Sequence, residues 1–305
     1  MATPFGRVLT AMITPFDSSG AIDHGTVWDL ARHLIDIGND GIVVAGTTGE
    51  SPTLDGDEKI ALFRAVVEAV GDRAVVVAGT GTYDTAESLH LTAGAIEAGV
   101  HGVMAVTPYY SRPPQQGLFE HFTTIADASS VPMLVYNIPS RTGRRIEVET
   151  LIRLAEHERI AAVKDAVGDL AFTIETVNGC GDDLAVYSGD DILTLPMMAV
   201  GAVGVVSVAA HLAGQQISAM VAAVVNNDWD EARRIHLALA PLCKALFAEP
   251  SPMPVKGALN ALWQPVGEPR SPLVSASAEA VSAVKEALAA VRAPTGNVRR
   301  VEDVQ

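Results

Sequence analysis

The sequence predicts an α/β fold, a closed (β/α)8 barrel with a small all-helical appendage after it. Three observations predict this. Eight short runs rich in β-branched residues recur between residues 8 and 206. Apolar residues at helical spacing fill the intervals between them. Strand signals then stop after Asn227. Strands alternating with helices of about 10–15 residues indicate a parallel sheet, and eight such units close a barrel. An open, doubly wound sheet would carry a glycine-rich phosphate turn after its first strand. The chain there reads Ile13-Thr14-Pro15-Phe16-Asp17.

The strands are expected at 8–13, 41–45, 74–78, 102–106, 132–136, 161–164, 184–187 and 202–206. Helical spacing shows in Val27, Leu30, Ala31 and Leu34, in Ile60, Phe63 and Val67, and in Leu89, Ala93 and Ile96. From Ile192 to Asn227 the chain has no Asp, Glu, Lys or Arg. A membrane-spanning helix wants about 20 apolar residues in a row. Pro196, Gly201, Gly204, His211 and Gln215 interrupt this stretch, so it reads as helix, buried strand, helix. Beyond it a helix is expected over 228–247, with Leu239, Leu242 and Leu246 on its apolar face. A second has Pro254 in its first turn and ends near Trp263, and a third spans 275–291 with Ser275 as N-cap. The expected division is a barrel over 1–227, helices over 228–292 and a frayed tail over 293–305.

Charge and composition narrow the function. The formal net charge is −15. Such a surface repels phosphate backbones and anionic lipid, so neither nucleic acid nor membrane is an expected partner. Cys180 and Cys243 make no disulfide framework, and no basic segment followed by an apolar one opens the chain, so a cytoplasmic location is expected. The eight histidines include no H-x-H or H-E-x-x-H pair, so no metal is expected.

The chemistry collects where strands run into the following loops, the end that carries active sites in barrels of this type. Lys164 sits in the apolar run Ile160-Ala161-Ala162-Val163-Lys164. Burial lowers a lysine's pKa, and the neutral amine that results forms imines with carbonyl substrates. Alone, Lys164 reads better as a lysine that ends a strand and reaches water along its stem; the groups around it reverse that reading. Other strands bring Thr47 and Thr48, then Tyr109 and Tyr110, then Tyr136 and Arg141, then Gly189 and its aspartates, to the same rim. A tyrosine with a hydroxyl relay moves protons for imine chemistry. Backbone N–H groups beside Thr48 hold a carboxylate, and Arg141 grips a second one. Each group also has a bland use: Asp190 and Asp191 read as helix caps, and Glu50 as a partner within its own loop.

These segments resemble the dihydrodipicolinate synthase family in order and spacing: 46–51 (GTTGES), 107–113 (TPYYSRP), 136–143 (YNIPSRTG), 163–165 (VKD), 188–191 (SGDD) and 204–208 (GVVSV). Pro254-Val255-Lys256 resembles the family's C-terminal part. The resemblance implies condensation of pyruvate with aspartate 4-semialdehyde to 4-hydroxy-tetrahydrodipicolinate, with no cofactor. It implies that Lys164 carries pyruvate as an imine and Tyr136 shuttles protons. Thr47 and Tyr110 would complete the relay, with Tyr110 reaching across from a partner subunit of a homotetramer. Thr48, Gly189 and Val206 would line the pyruvate pocket, and Arg141 would receive the aldehyde's carboxylate. Two alternatives stay open: another pyruvate-dependent aldolase, acting on a sugar acid or sialic acid, and a non-catalytic pyruvate-binding barrel.

Three departures from the family pattern stand out. Ser51, Glu87 and Tyr109 match the site at which many members sense lysine, but Gly56, Lys59 and Tyr83 replace its polar or imidazole side chains. Weak or absent lysine inhibition is therefore expected. His211 stands where asparagine often does, and Val167 where a small polar residue is common.

Overall fold

The computed structural model describes residues 2–292; the expected tail, 293–305, lies outside them. Eight parallel strands close in chain order: β1 (Val8–Ala11), β2 (Gly41–Val44), β3 (Val75–Gly79), β4 (Gly102–Val106), β5 (Met133–Asn137), β6 (Ile160–Asp165), β7 (Ala185–Ser188) and β8 (Gly204–Ser207). β8 returns to β1 with Val206 beside Leu9. Helices α1 (His24–Asp36), α2 (Gly56–Val70), α3 (Thr85–Glu97), α4 (Gln115–Asp127), α5 (Pro139–Thr142), α6 (Val148–Ala155), α7 (Leu170–Cys180), α8 (Thr194–Ala199) and α9 (Ala210–Val225) connect and surround them. α10 (Trp229–Leu246), α11 (Met253–Leu262) and α12 (Ala278–Arg292) follow the last strand.

The two-residue period of each strand sorts its side chains. On β5, Met133 and Val135 face the helices, while Leu134 and Tyr136 face the barrel interior. On β6, Val163 faces out and Ala162 faces in, so Lys164, two residues beyond Ala162, points inward. The lower interior is plugged by Phe5, Leu9 and Tyr187. The Tyr187 hydroxyl donates to the Gly6 carbonyl at 2.7 Å and accepts from the Phe5 N–H at 3.3 Å. That phenol is therefore committed to the closed end of the barrel. Aspartates start many of the helices: Asp23, Asp55, Asp84, Asp169 and Asp228 each accept a first-turn N–H of α1, α2, α3, α7 and α10.

Some boundaries differ from expectation, each for a visible reason. β1 ends at Ala11 because the Ile13 N–H donates to His211 Nε2 at 3.1 Å instead of to a strand. β8 starts at Gly204 because the Ala202 N–H turns back to the Met197 carbonyl. α12 is capped by Ser277, not Ser275: Ser277 Oγ accepts from the Ala280 N–H at 3.1 Å. The uncharged stretch is α8, β8 and α9, and no helix among the described residues is long and apolar enough to cross a membrane.

Candidate active site

Lys164 and Tyr136 are register partners on β6 and β5, so both side chains enter the barrel at one level. Both are buried, and Lys164 Nζ lies 4.2 Å from the centre of the Tyr136 ring. Burial pulls the Lys164 ammonium down to about 8; the Asp191 carboxylate opposes this and the Arg141 charge adds to it. Burial pushes the Tyr136 phenol up to about 12, partly offset by a hydrogen bond with Thr47 and by the Arg141 charge. At neutral pH the phenol is therefore a proton donor in contact with a hydroxyl, beside an amine that readily loses its proton.

Thr47 owes its place to a crowded turn. Ala45 and Glu50 both adopt left-handed backbone conformations, at φ 52° and 58°. Such conformations in non-glycine residues are strained and persist only where the surroundings enforce them. Here the Glu50 N–H donates to the Thr47 carbonyl at 3.1 Å and the Ser51 N–H to the Gly46 carbonyl at 3.2 Å. Thr14 Oγ1 donates to the Gly49 carbonyl at 2.7 Å. Gly79 makes room from β3, since a Cβ there would lie 2.4 Å from the Ala45 carbonyl oxygen. Thr48 is buried within this turn.

Arg141 lies on α5, a single turn opened by Pro139. Asn137 anchors the loop beyond it, donating to the Ile146 carbonyl at 3.0 Å and accepting from the Ile146 N–H at 3.1 Å. Arg141 lines two cavities. One, of about 210 Å³, also touches Thr47, Ser51, Tyr109 and Tyr136. The other, of about 460 Å³, touches Gly189, Asp190 and Lys244. Gly189 passes so near Lys164 that a Cβ would stand 3.1 Å from Lys164 Cγ and 2.8 Å from Ala166 Cβ. Val206 is buried in the same interior cluster as Tyr136.

Asp190 is a cap, as the sequence reads, accepting from the Ile192 N–H at 3.2 Å; other residues behave differently. Asp191 is not a cap: its buried carboxylate accepts from Ser207 Oγ and from the Val208 and Ala209 N–H groups, tying the loop after β7 to the end of β8. Glu50 does not pair within its loop but meets Lys256 at 2.7 Å, 206 residues away. The two residues lie in separate motifs, GTTGES and Pro254-Val255-Lys256, and nothing in their spacing joins them. Tyr110 stays outside the site in the single chain, 95% exposed and at φ 67°. Tyr109 instead meets Tyr83 edge to face at 5.2 Å.

The departures also have physical accounts. His211 is buried, its Nδ1 against the Val208 carbonyl at 2.9 Å and its Nε2 accepting from Ile13, and burial lowers its pKa to about 4. A neutral ring in that tautomer satisfies two backbone groups at the β1–β8 seam. The Val167 N–H donates to Asp165 at 3.0 Å, so the loop after β6 is held through backbone. Lys59 is buried with Glu87 and Asp55 as its attractive charges, and burial lowers its pKa. A Cβ on Gly56 would stand 3.6 Å from the Glu87 carboxylate. Among the described residues no group of three His, Cys, Asp or Glu side chains is arranged to hold a metal ion.

Comparison with known proteins agrees with this fold. The family model of the dihydrodipicolinate synthetase family matches residues 4–291. The chain is 52% identical over 279 residues to 4-hydroxy-tetrahydrodipicolinate synthase of Heliobacterium modesticaldum, covering 92% of this chain and 93% of that one. It is 54% identical over 275 residues to the enzyme of that name from Moorella thermoacetica, covering 90% and 94%. A solved dihydrodipicolinate synthase from Bacillus anthracis superposes with a TM-score of 0.92 at 45% identity, over 97% of this chain and 100% of that one. The synthase from Cyanidioschyzon merolae with lysine bound gives 0.93 at 43% identity, over 95% and 99%. With a family model over residues 4–291 and a barrel that superposes on those of the solved synthases, the chain belongs to the dihydrodipicolinate synthetase family.

Proposed function

We propose that this chain condenses pyruvate with L-aspartate 4-semialdehyde through an imine on Lys164, giving 4-hydroxy-tetrahydrodipicolinate in the diaminopimelate route to lysine. The observation that carries the mechanism is the buried Lys164 amine against the Tyr136 ring, with Thr47 hydrogen-bonded to that phenol. The name shared by the relatives supports the reaction.

The chemistry follows from those positions. Neutral Nζ adds to the keto carbon of pyruvate. Tyr136 gives its proton to the resulting hydroxyl, which leaves as water. The phenolate then takes a proton from the methyl carbon, leaving an enamine, and Thr47 steadies the oxygen while it is charged. The enamine carbon attacks the aldehyde, whose oxygen recovers the proton. The acceptor's amine then displaces Lys164 and closes the ring. Thr48 and the backbone beside Gly46 and Gly49 bind the pyruvate carboxylate, Gly189 and Val206 shape the pocket wall, and Arg141 binds the acceptor's carboxylate.

Tyr110 is too exposed to act within its own subunit. We therefore place it in a partner's site within a homotetramer in the cytoplasm, and assign 1–227 to the catalytic barrel and 228–292 to a helical appendage. Lys59 already supplies a cation to Glu87, so a free lysine finds that carboxylate answered. Millimolar lysine should leave the rate unchanged; abolition of activity would refute this point.

The test of the function is a condensation assay. Purified protein should consume pyruvate only when aspartate 4-semialdehyde is added. Arg141→Ala should keep its pyruvate adduct while kcat/KM for the aldehyde falls about tenfold to a hundredfold, as for a lost hydrogen bond to a charged group. Turnover of sugar acids but not of this aldehyde would reject the assignment.

A further inference from the structure

The Glu50–Lys256 pair is built more tightly than packing requires. Lys256 lies on α11, beyond the barrel strands, and its side chain is fully buried. Its Nζ donates to Glu50 Oε1 at 2.7 Å and to the Glu268 carbonyl at 3.2 Å, 4.2 Å from the centre of the Phe16 ring. The second carboxylate oxygen of Glu50 accepts from the Arg270 N–H at 2.8 Å. Arg270 then grips Glu58 with two bonds, at 2.8 and 2.6 Å, and donates to the Thr53 carbonyl at 2.7 Å. Glu58 is itself half of the capping box that starts α2. The segment from Glu50 to Glu58 is thus held at both ends by the last part of the chain.

A buried ion pair is a poor way to gain stability, since apolar residues of the same volume do as well or better. What this pair does is fix a carboxylate whose own backbone is left-handed. That residue's N–H closes the turn onto the Thr47 carbonyl. We propose that Glu50 and Lys256 are positioning residues: the ion pair locks the turn so that the Thr47 hydroxyl meets the Tyr136 phenol. The proposal rests on the imine reading of Lys164. It assigns the pair to the Thr47–Tyr136 contact on which proton transfer depends, which is read most directly at the methyl carbon of an imine already formed.

Pyruvate alone in deuterated water separates the two. The methyl protons exchange only if the imine forms and Tyr136 removes a proton from it. The probes are Glu50→Gln and the doubly neutral E50Q/K256M, which leaves no unpaired buried charge. At saturating pyruvate, and after the imine has come to equilibrium, both should still trap pyruvate on Lys164 with borohydride. Both should exchange the methyl protons about tenfold to a hundredfold more slowly per trapped adduct, the loss expected of a displaced proton-transfer group. Exchange at the wild-type rate in a folded variant would overturn the proposal, because a merely structural pair lowers thermal stability without touching that ratio. Failure of both variants to fold would overturn it too, assigning the pair to the core alone. Absence of any adduct in the wild-type protein would instead strike down the imine reading beneath it.

Discussion

Lys164 and Lys256 are both buried, both have Nζ 4.2 Å from an aromatic ring centre, and burial lowers the pKa of both. They differ in what answers the charge. Lys256 touches a carboxylate and a backbone carbonyl. Lys164, among the described residues, makes no ion pair; Asp191 acts on it only as a more distant charge, and its oxygens are already taken by Ser207, Val208 and Ala209. The comparison teaches that burial of a lysine does not by itself make a nucleophile. A contacting anion turns a buried lysine into a strut, and its absence leaves an amine free to react.

The largest effect that would sharpen this contrast is on turnover. Lys164→Met should cut kcat by about a thousandfold or more, because no other group replaces a covalent nucleophile. Next is the strut. Lys256→Met leaves Glu50 buried and unpaired, and should cost about 3–5 kcal/mol of stability by denaturant unfolding. A smaller effect separates the two lysines by pH. With a folded pKa of about 8, the neutral fraction of Lys164 rises from about a tenth at pH 7 to about nine tenths at pH 9. The rate of adduct formation should therefore rise about tenfold over that interval and level off above it. A flat profile would break the comparison.

The smallest effect has the opposite sign at the two sites. Lys164 is lowered from 10.5 in the unfolded chain to about 8 in the folded one, so the unfolded chain binds more protons between those values. Stability must rise with pH from about 8 to 10.5, and the charged amine is a burden below that window. Lys164→Met should raise stability at pH 7 by on the order of 1 kcal/mol, seen as a higher melting temperature, the usual gain when a strained functional group is removed. Lys256→Met should lower it. Destabilisation by both would mean that both lysines are struts.

The barrel was legible because its signals are local. The apolar runs at 132–136 and 161–164 read as strands on their own, and pairing them in order puts Lys164 beside Tyr136. The ends of elements were less legible, because they depend on partners far away. His211 takes the N–H that would have extended β1, and Ser277 rather than Ser275 meets the first turn of α12. Two serines two residues apart look alike until the backbone path is known. The rim of the site was readable as a set of strand ends. The support beneath it was not: Glu50 finds Lys256 across 206 residues, and no periodicity carries information over that span. Asp191 is similar, since its partners at β8 decide that it is a tie between loops and not a cap.

One measurement reaches the centre of this account. The folded protein is incubated with pyruvate, reduced with borohydride, digested and mapped by mass. A single 1-carboxyethyl addition should fall on the peptide bearing Lys164, with none on the peptide bearing Lys256. No addition at all, or one on any lysine other than Lys164, would contradict the claim that the unanswered amine is the reactive one.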